Sequence, residues 1–382
     1  MRPDDFTAEQ VPHLLQLERG WAFVPPPLPP SALELTREIT LRDGDARGAI
    51  GELVGEARRI ETSLLVNPLR RREAVLSNVI EGTYTQVEDV LLGEVLAEDA
   101  DPSPETTEVL RTSDAISLGQ YWLEQGRPLS PALLRDIHGE LMRHGRGARR
   151  NPGEFRKVQV FIGNPGEPLT DARFVPPPPA LVEPAIDAMF DFIGRGPSFG
   201  PLIDAALVHY QFEAIHPFED GNGRLGRALI ALQLMSVGIL TKPILYLGAF
   251  FAAHREMYIE LLNQVSKRGA WQPWIEFFLD GVISEARDSI RRLEDVHQLA
   301  HRYRQLARAQ TRSTTPALAV EFALDRVYVS VPDVMKATGT SAPTSKAAID
   351  VLAGIGMLVP GPRVSGRQYW VAREVIDRLY RL

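Results

Sequence analysis

Apolar side chains recur at three- and four-residue intervals along most of the chain, the period of an amphipathic helix. Between 31 and 65 they fall at Leu33, Leu35 and Ile39, then at Ile50, Leu53, Val54, Ala57, Ile60 and Leu64. Asn67-Pro68 is a start signal, with Pro68 at the first helical position. The helix it opens runs through Arg70, Glu73, Ala74, Ser77 and Ile80 to a cap at Gly82, about 68–82. The same period predicts helices over 86–97, 106–124, 131–143, 180–193, 203–215, 224–237, 252–267 and 273–278, and a long charged one over 281–310.

A few stretches depart from that rhythm. The first twenty residues show no strong period, and Pro25 to Pro30 predicts an extended, polyproline-like run. Residues 157–162 are β-branched and aromatic enough for a strand, and Gly163-Asn164-Pro165-Gly166 supplies a turn. Residues 172–175 would return before four prolines, Pro176 to Pro179, giving one hairpin over 158–175 in a helical region. Near the end, helices over 331–338 and 343–354 precede a hairpin over 358–371, the order of a winged helix. The fold class expected is mainly α.

Composition narrows the picture. A length of 382 residues suggests two or three domains, and 44% apolar with 24% charged residues is ordinary for a globular chain. With no cysteine, disulfides, thiol catalysis and cysteine-held metal are out. No run of eighteen apolar residues occurs, and Asp4, Asp5 and Glu9 make an acidic start, so no membrane association is expected and a cytoplasmic location is. The net charge of −7 argues against a chain that grips nucleic acid over its whole surface. Residues 301–382, however, hold twelve Lys+Arg against six Asp+Glu, net +6, which leaves −13 for residues 1–300.

The chemistry concentrates in His216-Pro217-Phe218-Glu219-Asp220-Gly221-Asn222-Gly223-Arg224-Leu225-Gly226-Arg227, at the junction of two predicted helices. Gly221-Asn222-Gly223 lets backbone N–H groups converge at a helix N-terminus, a ready anion site. Arg224 and Arg227 lie three apart on that helix and can clamp a polyphosphate from one side. Asp220 beside the phosphates suits Mg²⁺, which takes one or two carboxylates plus phosphate oxygens. His216 could serve as a general base at neutral pH. Base, metal ligand, anion cradle and two arginines together describe phosphoryl or nucleotidyl transfer.

Each part alone has a plainer account: a structural histidine before proline, a Gly-Asn-Gly turn, a helix-capping Asp220, a solvated Arg227. Their coincidence within twelve residues favours the chemical reading. Gly221, Gly223 and Gly226 also fit GxGxxG, but a helix precedes them and 241–247 supplies no acidic residue, which disfavours a dinucleotide site. No Gly-Lys dipeptide occurs, so a P-loop is excluded. His209, Glu213 and His216 lack the spacing of a metal triad.

The twelve residues match HxFx(D/E)GNGRxxR at every defined position, and in this the chain resembles the Fic family of protein adenylyltransferases. The resemblance implies a helical Fic core with a β-hairpin flap. It also implies an activity in which MgATP donates AMP to a target Ser, Thr or Tyr hydroxyl and pyrophosphate leaves. His216 would then take the hydroxyl proton, Asp220 would hold Mg²⁺, and Phe218 would anchor the loop. Asn222, Gly223 and Arg224 would hold the α- and β-phosphates and Arg227 the γ-phosphate, within a nucleotide site that also takes in Gly221, Leu225, Gly226 and Glu81. Tyr258, in Arg255-Glu256-Met257-Tyr258, would lie toward the adenine. The 158–175 hairpin would be the flap, pairing with an extended target segment.

Upstream, Ser77-Asn78-Val79-Ile80-Glu81-Gly82 fits the family's inhibitory pattern, (S/T)xxxE(G/N), in which the glutamate pairs with the second motif arginine and excludes a productive γ-phosphate. The implied division is 1–125 as an N-terminal helical region carrying that helix, 126–280 as catalytic core, 281–310 as a linker helix and 311–382 as a winged helix. In the last, Ser341-Ala342-Pro343 would start a recognition helix and 361–368, with Arg363 and Arg367, would form the wing. DNA binding and a docking or dimer module remain alternatives there, since Lys346 is that helix's one basic side chain. The long charged helix would suit a homodimer. Open beside AMP transfer stand AMP removal with Glu81 positioning water, phosphotransfer to protein, and a nucleotide-sensing DNA-binding regulator.

Overall fold

A computed structural model describes residues 1–31, 33–59, 63–96, 102–144, 146–163 and 168–380. It is mainly helical, with two small antiparallel sheets. The chain opens on a hairpin, β1 (Leu14–Gln16) and β2 (Trp21–Phe23), with Leu15 opposite Ala22. Three-residue strands are too short to print a period in the sequence. Phe23 of β2 is nonetheless a core residue, stacked on Phe6 and tilted against Phe174. After the proline run, which bends at Leu28-Pro29, come α1 (Arg37–Arg59), α2 (Ser63–Ile80), α3 (Val87–Leu96), α4 (Pro104–Glu124) and α5 (Pro131–Leu141). Then follow α6 (Val182–Gly194), α7 (Pro201–Ile215), α8 (Asn222–Ser236), α9 (Gly248–Ala253) and α10 (Arg255–Arg268).

The last elements are α11 (Trp271–Gln310), α12 (Thr315–Arg326), β3 (Tyr328–Val329), α13 (Val331–Thr338), α14 (Ala342–Gly354), β4 (Val359–Val364) and β5 (Arg367–Val371). Their sheet has the order β3-β5-β4, with Val329 opposite Trp370 and Val359 opposite Val371. Among the described residues no helix is long and apolar enough to cross a membrane.

Two large cores form. The first gathers α1, α5 to α10 and the first half of α11 around α7, of whose fifteen residues thirteen are buried. A helix apolar on all sides belongs at the centre, and α7 and α8 together carry the candidate loop there. The second core joins Leu91 and Leu96 of α3 to the second half of α11, to α12, and to the β3-β5-β4 sheet with its helices.

Four sequence expectations need correction. Pro68 does not start its helix: it is buried inside α2, where packing outweighs the missing N–H. The 158–175 hairpin reduces to one bridge, Ile162 to Phe174. Its return arm runs into prolines that cannot donate to a ladder, and side chains tie the arms instead, Gln159 donating to Pro176 O. The 252–267 helix is two, α9 and α10, parted at His254. The helices read over 273–278 and 281–310 are one forty-residue helix, α11. Gly281 breaks nothing; a Cβ there would lie 2.8 Å from Phe250 Cδ1, so the glycine admits a close neighbour. The predicted turn residues Asn164, Pro165 and Gly166 lie outside the described residues, as do Ile60 and Ala97.

Candidate functional site

The loop between α7 and α8 is held by its own polar groups. His216 ends α7 in a left-handed conformation, φ 49° and ψ 62°, and Gly221, φ 78°, precedes the first residue of α8. Between them Phe218 is fully buried and its N–H donates to Asn222 Oδ1 (2.9 Å), while Asn222 Nδ2 donates to Phe218 O (2.9 Å). The Asn222 amide is therefore spent on shaping the loop. Its backbone N–H, with those of Gly223 and Arg224, makes up the first turn of α8, whose N–H groups find no carbonyl within the helix. That is the positive end of a helix dipole, presented where the sequence expects an anion.

His138, on α5, was not singled out from the sequence. Its ring stacks on Phe218, centroids 3.7 Å apart. Gly153 N–H donates to its Nδ1 (2.9 Å), which puts the proton on Nε2, and Nε2–H donates to Asp220 O (3.0 Å). Burial pushes its pKa down to about 4, so a neutral ring performs both tasks. Arg156 does the same service at the other end of the loop, donating to His216 O (2.8 Å). Nothing in the spacing of the chain marks either residue, because each acts on backbone groups far from it in sequence.

Asp220 keeps part of its surface open. Gly221 N–H donates to its Oδ1 (2.6 Å), and the Arg224 guanidinium stands 3.5 Å away. Asp220, Gly221 and Arg224 line a cavity of about 300 Å³ together with Glu81, Thr83, Glu108, Leu141, Met142, His144 and Arg150. A half-exposed carboxylate at such an opening, beside an anion cradle, is an oxygen donor suited to Mg²⁺ that arrives with phosphate oxygens. Among the described residues no three acidic or histidine groups converge to cage a metal by themselves, so a nucleotide would have to complete the shell.

The two arginines of the loop have different surroundings. Arg224 is buried, makes a weak contact to Met142 Sδ (3.7 Å) and leaves Nε without a partner. Arg227, one turn further along the same side of α8, is buried under the end of α2. Its Nε donates to Ser77 Oγ (2.8 Å) and its Nη2 to Ser77 O (2.9 Å) and Glu81 Oε1 (2.7 Å). Burial opposes the Glu81 charge, but Arg227, joined by smaller contributions from Arg224 and His216, more than offsets it and the Glu81 pKa is lowered. Gly223 makes room for that carboxylate: a Cβ there would run into Glu81 Oε1.

His216 points its Nδ1–H toward Glu213 O (3.4 Å), which leaves Nε2 as the ring's basic nitrogen. Burial first, and then the charge of Arg156, push its pKa down to about 4. The imidazole is therefore neutral at pH 7 and can accept a proton.

Three residues assigned to the nucleotide present no side chain to the cavity. The Leu225 side chain belongs to the first core, and Gly226 faces Phe212 and Glu213 of α7, so either could reach a ligand only through backbone. Tyr258 is 3% exposed, behind α8, and its hydroxyl donates to His209 Nε2 (2.8 Å). His209 Nδ1–H in turn donates to Gly226 O (3.1 Å). Its register in the sequence predicted proximity to the site but not which face of α8 it braces. At the other end of the molecule, Lys346 pairs with Asp350 and lies over the Trp370 ring at 5.6 Å.

Residues 128–234 match the family model described as Fic/DOC family, and residues 42–121 match Fic/DOC family N-terminal. A Protein adenylyltransferase Fic of Nematostella vectensis is 30% identical over 176 residues, 45% of this chain and 37% of that one. Another of that name, from Drosophila grimshawi, is 26% identical over 238 residues, 62% of this chain and 45% of that one. The chain thus matches less than half the length of these curated relatives. A crystal structure of a Fic family protein from Desulfovibrio desulfuricans G20 shares the fold, with TM-score 0.57 at 22% identity over 89% of this chain and 97% of that one.

Proposed function

The chain belongs to the Fic/DOC family, and from that premise we propose that it transfers AMP from MgATP to hydroxyl groups of proteins, restrained by its own Glu81. The observation that carries the reading is the pair of unlike arginines at one anion cradle, Arg224 at the cavity and Arg227 engaged by Glu81.

The target hydroxyl oxygen attacks the α-phosphorus in line, its proton passes to His216 Nε2, the bond from that phosphorus to the bridging oxygen breaks, and pyrophosphate leaves. The neutral state of His216 makes it competent for this at pH 7. The N–H groups that open α8 and the Arg224 guanidinium offset charge on the phosphates, and Asp220 would hold the Mg²⁺, which lends further positive charge there. Glu81 competes with the γ-phosphate for Arg227, since one guanidinium cannot serve both carboxylate and phosphate. The 157–178 arms would seat the target backbone, with Val158 and Phe161 exposed along them.

The elements from α12 to β5 support a winged-helix reading of the C-terminal part. Its docking role is favoured over DNA binding because Lys346 is already paired. AMP removal is the second reading: Glu81 lines the same cavity and could orient a water there.

The test incubates Glu81→Gly with Mg²⁺ and α-labelled ATP, with the Glu81→Gly/His216→Ala double variant alongside, and reads intact masses. A gain of one AMP per modified residue, lost with His216, is expected. Release of AMP from a modified target by the wild type, without any gain in the variant, would favour removal instead.

A further inference from the structure

Arg156 is 2% exposed and stands outside the motif. Its Nε donates to His216 O (2.8 Å), Nη1 to Val158 O (3.2 Å), and Nη2 to Ile215 O (3.3 Å) and Pro177 O, while its own N–H donates to Pro217 O (2.9 Å). One side chain thus caps the negative end of α7 and ties both arms of the 157–178 segment to it. It does so at the point where His216 holds a left-handed conformation, which a residue with a side chain keeps only where its surroundings over-determine it. The four side-chain acceptors are neutral carbonyls in different directions, a task for a planar fork of five donors rather than for an ammonium.

We propose that Arg156 is a positioning residue: it fixes the backbone of His216 and registers the imidazole against a target lying on the two arms. The inference rests on the AMP-transfer reading. It is tested in the Glu81→Gly chain with Arg156→Lys and Arg156→Met, reading the rate of AMP transfer and, separately, ATP affinity. Transfer falls roughly 10²-fold, since an ångström of misplacement costs that much. ATP affinity stays within twofold, because the phosphate cradle is untouched, and Arg156→Lys recovers part of the rate. Unchanged transfer, or an ATP affinity that falls in step with the rate, overturns the proposal. A Glu81→Gly parent that transfers no AMP overturns the functional reading itself, and this proposal with it.

On α2, the helix that carries Ser77, Arg71 is 3% exposed. It donates to both oxygens of Glu94 (2.9 and 2.8 Å), to Asp325 O at the C-terminal end of α12 (2.6 Å) and to the Tyr380 hydroxyl (3.3 Å). Asn67 donates to Asp325 Oδ1 (2.7 Å), and Arg72 pairs with Glu285 and Asp288 of α11. The same rigid helix therefore meets the C-terminal elements at one end and Arg227 at the other. The geometry points to a clamp: the C-terminal elements hold α2 in the register that keeps Glu81 on Arg227.

Arg71→Ala should then raise AMP transfer by the otherwise wild-type chain roughly tenfold, and add nothing in the Glu81→Gly background. Asn67→Ala, a milder change at a half-buried position, should act in the same direction. If Glu81→Gly activates but neither variant does, or if the gain persists without Glu81, the clamp is overturned.

Discussion

Two neighbouring positions on α8 treat the same side chain in opposite ways. Toward the cavity, Arg224 leaves donors unspent, with a carboxylate at 3.5 Å and a sulfur at 3.7 Å as its partners. Toward α2, three residues along the chain, Arg227 is consumed by two oxygens of Ser77 and one of Glu81. A motif cannot record that difference, because both positions are arginine. It depends on what the rest of the chain lays against each position.

The comparison breaks most visibly at Arg224. In the Glu81→Gly chain, Arg224→Ala should lower AMP transfer roughly 10²- to 10³-fold, the usual cost of losing a preorganised charge at the reacting group. Initial rates with saturating protein target measure it, and a loss under threefold would mean that the Arg224 position holds no phosphate. Ser77→Ala sharpens the other position. It takes one acceptor from Arg227 and loosens Glu81, so AMP transfer by the otherwise wild-type chain should rise about fivefold, the worth of one modest hydrogen bond. A fall would show that Ser77 serves the nucleotide rather than the inhibitor.

The smallest effect concerns Glu73, a buried residue of α2 itself. Its Oε2 accepts from Gly248 N–H (2.9 Å), its Oε1 has no partner, and burial pushes its pKa up from 4.5 to about 7. The folded chain holds a proton that the unfolded one has released, so stability is lost as pH rises from about 4.5 to about 7. Glu73→Gln should match the parent in melting temperature below that window, gain on it through the window and hold a constant lead above it, as pH-stepped thermal melts would record.

Much of this was legible in advance. The loop from His216 to Arg227 announced itself, and the pairing of Glu81 with Arg227 could be expected from six residues 146 positions upstream. Helices with an apolar stripe were legible too. What escaped were residues that act on backbone, such as Arg156 and His138, since a carbonyl has no letter in the sequence. Also hidden were Pro68 and Gly281, whose usual meaning as breaks is overruled by packing against α2's neighbours and Phe250. Tyr258 shows the same limit, for its position along the chain was informative and its side of α8 was not.

The forty-residue α11 runs about 60 Å at 1.5 Å per residue, with Trp274 and Phe278 in one core and Val296 and Tyr303 in the other. A spine shared in this way makes the two cores poor candidates for independent melting. Fraying either half exposes apolar surface that the other half depends on for its helical backbone. Calorimetry should therefore find a single cooperative transition, so that a partner gripping the C-terminal elements would stiffen the distant cradle as well.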